Sequence, residues 1–319
     1  MSSSEPTICL KIDVDTSQGY LDGVPRLADI LRRVGLRATF CVAMGPDRSG
    51  RAVRRVFTQR GFLAKMVRTR APSAYGWRTP LYGTLLPSPN IGLARPDLVR
   101  SLQKAGHEVI VHGWDHVAWH DFLPRWSLDR TRDQMLKAAE GYRAATGHAC
   151  VAFAAPGWQA TDNSLRVEEE LGLLYASDTR GWCPFYPLVD GRSLSVPQLP
   201  TTLPTLDEML ADPHLREADL LSHTLELFSR PPAPARAGAG RPGSTHVFTA
   251  HAEMEGRGWV DWFEQLLTTL RQSGAEFFTL RELAEAVVGT GAGAPARVVA
   301  GHLPGRAGTV SCQDGYLAD

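Results

Sequence analysis

"TICLKID" (Thr7–Asp13), "GVPRLADILRRVG" (Gly23–Gly35) and "RATFCVAM" (Arg37–Met44) follow one another near the start of the chain. The first is a short, mostly apolar run and reads as a buried strand. The second sets Leu27, Ile30, Leu31 and Val34 at helical spacing and closes on Gly35, a helix stop. The third reads as a second strand. Strand, helix, strand is the repeating unit of a parallel sheet. The alternation continues outward. "PDLVRSLQKAG" (helix) precedes "HEVIVHG" (strand), and a helix starting at Ser127 precedes "VAFAAPG" (strand). "TDNSLRVEEELG" (helix) precedes "LLYASD" and "THVFTAHAE" (strands), and "GWVDWFEQLLTTLRQSG" (helix) precedes "AEFFTL" (strand). The fold class is therefore α/β, with the sheet open or closed into a barrel.

Three stretches break the rhythm. Residues from about 46 to 95 form an insertion. "RPPAPARAGAGRPG" (Arg230–Gly243) is a Pro/Ala/Gly loop with little to bury. From about Gly289, "GTGAGAPARVVAGHLPGRAGTV" reads as a flexible tail. The expected organisation is one domain over residues 1–288, with the insertion, followed by a tail over 289–319.

The chain has 319 residues, 43% of them hydrophobic, and its formal charges balance at zero. That suffices for a large core and gives no global pull toward nucleic acid. Five scattered cysteines, odd in number and without a CxxC pair, suggest reduced thiols rather than a disulfide framework. The N-terminus lacks the apolar run of a secretory signal, and no apolar run approaches the roughly 20 residues of a membrane span. The expectation is a cytoplasmic protein that can still lie against a membrane.

The chemistry-bearing residues gather at the ends of the expected strands. Asp13 and Asp15 close the first strand, two apart and so on one face. Two carboxylates side by side repel unless a cation or proton sits between them. "HEVIVHGWDHVAWH" (His107–His120) holds four of the ten histidines. His112 and His116 are four apart, as in a metal-binding helical turn. His251 ends a late strand in "FTAHAE". Each signal alone is weak: His-x-x-x-His occurs by chance, and Asp-x-Asp is often a turn. Parallel α/β folds place their sites at the C-terminal strand ends, so all these residues reach one rim. One Asp and two His make a metal triad with positions left open. The spare Asp suits a general base and the spare His a general acid.

"KIDVDT", "HGWDH", "AAPGW", "SDTRGWCPF" and "TAHAEMEG", in that order, resemble the five motifs of the polysaccharide deacetylase family (NodB homology, carbohydrate esterase family 4). The resemblance implies a distorted (β/α) barrel with fewer than eight complete units. "GVPRL", "GPDRSGR", "KMVRTRAPSAYGW", "LPTTLPTLDE" and "HAEMEG" are similar to a branch that deformylates undecaprenyl-phosphate-linked 4-formamido-arabinose in lipid A modification. Carried over by motif, Asp13 matches the catalytic base, and Asp15, His112 and His116 match the ligands of one divalent metal ion. Zinc, cobalt, manganese, nickel and iron are not distinguished. His251 matches the acid that protonates the leaving amine. The third motif usually opens with an arginine that holds the base; here that position is Ala154. Arg180, near Asp178 of the fourth motif, is the expected substitute. Pro156, Gly157 and Trp158 are expected to line the substrate pocket with Asp178 and Arg180.

Residues 48–90 contain no Asp or Glu. They carry Arg48, Arg51, Arg54, Arg55, Arg60, Lys65, Arg68, Arg70 and Arg78 among aromatic and aliphatic residues. A solvated basic face is the ordinary reading of such a run. In a neutral chain the asymmetry also suits an anionic membrane surface or a polyprenyl phosphate, with Arg51, Arg54, Arg55, Lys65 and Arg68 as contacts. No nucleic-acid motif and no protein-partner signal is present. The expectation is a deformylase on the cytoplasmic face of the inner membrane. Two others stand beside it: an N-deacetylase of undecaprenyl-phosphate N-acetylhexosamine, and a non-catalytic binder of lipid-linked sugar.

Overall fold

The computed structural model of the chain describes residues 5–53, 79–232 and 244–316. Its centre is a seven-stranded parallel sheet in the order β5-β4-β3-β2-β1-β8, with β9 also on β1. The strands are β1 (Thr7–Val14), β2 (Thr39–Val42), β3 (Glu108–Val111), β4 (Ala152–Phe153), β5 (Tyr175–Ala176), β8 (Thr245–His251) and β9 (Glu276–Phe278). β8 pairs β1 along nearly its whole length, whereas β9 meets Thr7–Cys9 and β2 meets Lys11–Val14. The sheet curls into the distorted (β/α) barrel that the strand–helix alternation and the motifs imply.

β1 is buried at all eight of its positions, as a central strand of a two-sided parallel sheet should be. Its even residues Ile8, Leu10, Ile12 and Val14 join the large core under the helices. Cys9 faces the other way, into an interior cluster with Cys41, Ile110, Ala154, Tyr175, Leu199 and Val247. Lys11 and Asp13 share that inward face by strand alternation.

The expected helices form. α1 (Val24–Val34) has Pro25 in its first turn, ends on Gly35 at φ 74°, and buries Val24, Leu27, Ile30 and Leu31. It packs on α8 (Val260–Gln272). α2 (Pro96–Lys104) and α5 (Asp162–Glu170) lie against α4 (Leu128–Thr146), which starts on a Ser127 cap and stops at Gly147, φ 81°. α3 (His116–Phe122) follows β3, α6 (Leu206–Ala211) and α7 (Leu220–Ser229) precede β8, and α9 (Leu280–Thr290) closes the barrel run. Among the described residues, no helix is long and apolar enough to cross a membrane.

Two single-turn π-helices, Gly19–Gly23 and Met254–Gly258, pack against each other beside the rim. Their approach is backbone to backbone. A Cβ on Gly256 would stand 2.7 Å from the Gly23 Cα. Only glycine fits there.

The tail expected from residue 289 is instead built into the fold up to residue 316. β10 (Pro295–Ala296) pairs with β6 (Tyr186–Val189), which in turn pairs with β7 (Arg192–Ser193). β11 (Val298–Gly301) and β12 (Val310–Gln313) form a hairpin. Val310 and Cys312 are buried against Trp158. The Gly/Ala/Pro composition suggested disorder because the partners of this segment are far away in sequence. The Arg180 N–H donates to Ser311 O, and Gln313 N–H donates to Arg180 O.

Candidate active site

Asp13 ends β1 and Asp15 follows it. Asp13 is the register partner of Cys41 on β2 and of His251 on β8. His112 comes directly after β3, and its N–H donates to Val42 O, so it sits one strand beyond β2 on the same rim. The chain then turns through Gly113 at φ 76° to Asp115. Asp115 caps α3 by accepting from Ala118 N, and His116 is the first residue of that helix. His112 and His116 therefore meet through a strand-to-helix turn. The helical i, i+4 geometry expected from their spacing is not what joins them.

Asp15, His112 and His116 each offer a ligand atom, all within 4.8 Å of one another. Asp15 Oδ1 lies 3.1 Å from His112 Nε2, and Asp15 Oδ2 lies 3.3 Å from His116 Nε2. Ligands about 2.0–2.1 Å from a tetrahedral ion stand roughly 3.3 Å apart, so these separations fit one cation. Asp15 Oδ1 is buried and makes no hydrogen bond despite its short approach to His112. The His112 Nδ1–H donates to Ala154 O at 2.8 Å, which fixes the tautomer and leaves Nε2 for a metal. Burial alone would raise the Asp15 carboxyl, but the imidazoles of His116 and His112 hold it well below the carboxylate range. Burial would lower His112; Asp13 and Asp15 raise it.

Asp13 stands behind the triad. Its Oδ2 is 4.0 Å from His112 Nε2 and 3.6 Å from Lys11 Nζ, and its buried Oδ1 has no hydrogen-bond partner. A carboxylate oxygen 4.0 Å from a ring nitrogen that can ligate a cation suits a general base. His251 presents a buried Nδ1 that also lacks a partner, and its ring stands edge-on to Trp158, with centroids 6.2 Å apart.

Two glutamates after His251 hold the rim, and the sequence reading passed over both. Glu253 Oε1 accepts from Asp15 N, Thr16 N and Thr16 Oγ1 at 2.7–2.9 Å. Burial and the adjacent Asp15 push its carboxyl up, against those donors. Glu255 Oε2 accepts from His251 N at 2.9 Å, and burial pushes its pKa up to about 8. Their signal was present in "HAEMEG": two acids amid small and apolar residues are expensive to bury unless they bind something.

The expected pocket residues divide. Pro156 packs close to Gly113, and Gly157, at φ 62°, has no room for a Cβ beside the His120 ring. Trp158 is held at φ 52°, rare for a residue with a side chain, and its Nε1–H donates to Thr201. Asp178 and Arg180 stand apart from the opening. Asp178 is fully buried; one oxygen accepts from Ala155 N at 2.6 Å and the other from Gln198 Nε2 at 3.2 Å. Arg180 does not reach Asp13. Its Nη1 pairs with Glu208 at 2.9 and 3.0 Å, and its Nη2 donates to Leu203 O. The buried guanidinium is held by Glu208, both of whose oxygens accept from Nη1. Both residues brace the wall behind Trp158. Arg306, from the C-terminal segment, stacks over the same ring at 4.5 Å and also pairs with Glu208.

The insertion touches this site at its first residues. Asp47 accepts from Ser17 N, and Arg48 ion-pairs with Asp115, the cap of the helix that carries His116. Arg51 is exposed, with its Nε–H donating to Gly83 O, near Leu85, which is 81% exposed. Arg54, Arg55, Lys65 and Arg68 lie outside the described residues.

The curled parallel barrel, its candidate metal site and the chain's relatives together define a hydrolase of carbon–nitrogen bonds other than peptide bonds. The chain belongs to the polysaccharide deacetylase family, whose model matches residues 2–176. It is 32% identical over 274 residues to a Shewanella sediminis protein named as a 4-deoxy-4-formamido-L-arabinose-phosphoundecaprenol deformylase, covering 86% of this chain and 84% of that one. A protein of the same name from Wigglesworthia glossinidia brevipalpis is 28% identical over 263 residues, covering 82% and 87%. The fold is shared with a polysaccharide deacetylase structure from Mycobacterium smegmatis at TM-score 0.60 and 18% identity, over 95% of this chain and 96% of that one.

Proposed function

We propose that the protein hydrolyses the formamide of an undecaprenyl-phosphate-linked 4-formamido-arabinose, releasing formate and the free amine. The observation that carries this is the placement of Asp13 and His251 on either strand of one register pair, flanking a triad that fits a divalent ion. The relatives named as deformylases supply the substrate class.

Asp15, His112 and His116 would hold the ion. Bound there, it supplies Lewis acidity toward the formyl oxygen and the attacking water. Asp13 takes the proton of that water on Oδ2, the carboxylate oxygen nearest the triad. His251 delivers a proton to the sugar nitrogen as the C–N bond breaks, because an amine leaves poorly until protonated. Ala154 O keeps His112 in the tautomer the ion needs. Glu253 and Glu255 hold the backbone of Asp15 and His251 against movement.

The basic stretch supports a further part of the proposal: Arg51 and the arginines and lysine after it meet a lipid phosphate or an anionic bilayer surface on the cytoplasmic side. Turnover of matched lipid-linked N-formyl and N-acetyl sugars, with metal analysis of the same preparation, tests the proposal. Release of formate is expected. Preference for the acetyl substrate would move the protein to the deacetylase reading, and metal-loaded protein that turns over neither would leave a binding role.

A further inference from the structure

We infer that Lys11 is the residue that positions the base Asp13, a task for which the chain has no arginine at position 154. This rests on the proposed reaction, in which Asp13 is the base. Lys11 lies two residues before Asp13 on β1, so strand alternation sends both side chains inward. It is fully buried, in a chain where almost every other lysine and arginine among the described residues reaches solvent. A buried ammonium is tolerated only where its charge and protons are met. Three groups meet it. Ser177 O accepts from Nζ at 3.0 Å, the Trp158 ring lies 5.5 Å from Nζ, and Asp13 Oδ2 stands 3.6 Å away.

The arrangement is asymmetric. Lys11 lies nearest Oδ2, the same oxygen that stands 4.0 Å from His112 Nε2, so its charge holds Oδ2 on the triad side of the carboxylate while Oδ1 is buried. A cation anchored to the β5 end through Ser177 thus selects one orientation of the carboxylate. Arg180 and Arg306, the other cations around Trp158, are both drawn off by Glu208. Among the described residues, Lys11 is the one lysine or arginine in ion-pair reach of Asp13.

The test compares Lys11→Met, nearly equal in volume, with Lys11→Arg, which keeps a cation. With the lipid-linked N-formyl sugar, Lys11→Met is expected to lose about a hundredfold in kcat, the scale of a misplaced catalytic group. KM and bound metal should stay near those of the parent, and Lys11→Arg should recover most of the rate. Equal losses in both variants, or a loss appearing in KM or metal content, would make Lys11 a packing residue and overturn the inference. A second measurement needs no substrate: unfolding of metal-loaded parent, Lys11→Met, Asp13→Asn and the double variant. The double variant should lose clearly less stability than the two single losses added, because each single change strands a buried charge. Additive losses would overturn the pairing even if the substrate proposal stood. Coupled stabilities with no turnover in the parent would instead sink the substrate and leave the pairing in place.

Discussion

Asp13 and His251 are direct neighbours across the β1–β8 ladder, and the Asp13 carbonyl accepts the N–H of Ala252. The proposed base and acid are therefore spaced by sheet geometry, with no loop between them. Strands in a sheet lie about 4.8 Å apart, and that distance cannot drift while the ladder holds. In the proposed reaction one side of the scissile bond would face β1 and the other β8.

The two residues should separate from metal binding. Asp13→Asn and His251→Ala are expected to keep the parental metal content and lose about 10²–10⁴-fold in kcat, the range for removing one proton-transfer group. Metal analysis and single-turnover kinetics on the same samples check this. Near-parental rates in Asp13→Asn would remove it as the base.

The triad variants should behave in the opposite way. Asp15→Asn, His112→Ala and His116→Ala are expected to lose bound metal. His120→Ala and His107→Ala are expected to keep it, because His107 accepts the Ala38 N–H and His120 pairs with Asp121. Full metal occupancy in His116→Ala would show the ligand set to be misassigned.

Glu255 should make stability fall with rising pH. Its ordinary value of 4.5 is raised to about 8 in the fold. Below about 4.5 the proton is held in both states. Between there and about 8 the unfolded chain releases it and the folded chain retains it, so the benefit is lost as pH rises. Relative to Glu255→Gln, the parent should lose stability across that window, by up to about 1.4 kcal/mol per pH unit. Urea unfolding of the two proteins at several pH values measures it; parallel curves would mean that Glu255 is ionised throughout.

Charge reversal in the insertion tests docking. Each basic residue near an anionic surface contributes about 1 kcal/mol, so changing Arg51, Arg54 and Arg55 to Glu should weaken vesicle binding more than a hundredfold. Activity on the lipid-linked sugar should fall far more than on a lipid-free analogue. Equal losses on both substrates with unchanged sedimentation would leave the stretch a solvated face.

The rim was legible in the sequence because its rules are local. Alternation along β1 pairs Asp13 with Asp15, and a parallel fold brings His112 and His251 to the same end. The same alternation already put Lys11 beside Asp13, and a lysine inside "TICLKID" was the visible anomaly. Arg180 misled because proximity to Asp178 in sequence says nothing about a partner 28 residues on: Glu208 takes its guanidinium. The C-terminal strands were hidden for a similar reason. Their hydrogen-bond partners lie around residues 160, 180 and 186, and no pattern within residues 295–313 points there.

Trp158 sits midway along the chain, yet the nearest of the three cations over its ring is Arg306, and Val310 and Cys312 pack against it. The last residues of the chain thus finish the packing around a ring set in its middle. Without them the Trp158 ring that flanks His251 would lose its cover, and Glu208 would pair with Arg180 alone. A chain cut short of residue 306 is therefore expected to keep Asp15, His112 and His116 together while leaving the wall beside His251 unfinished.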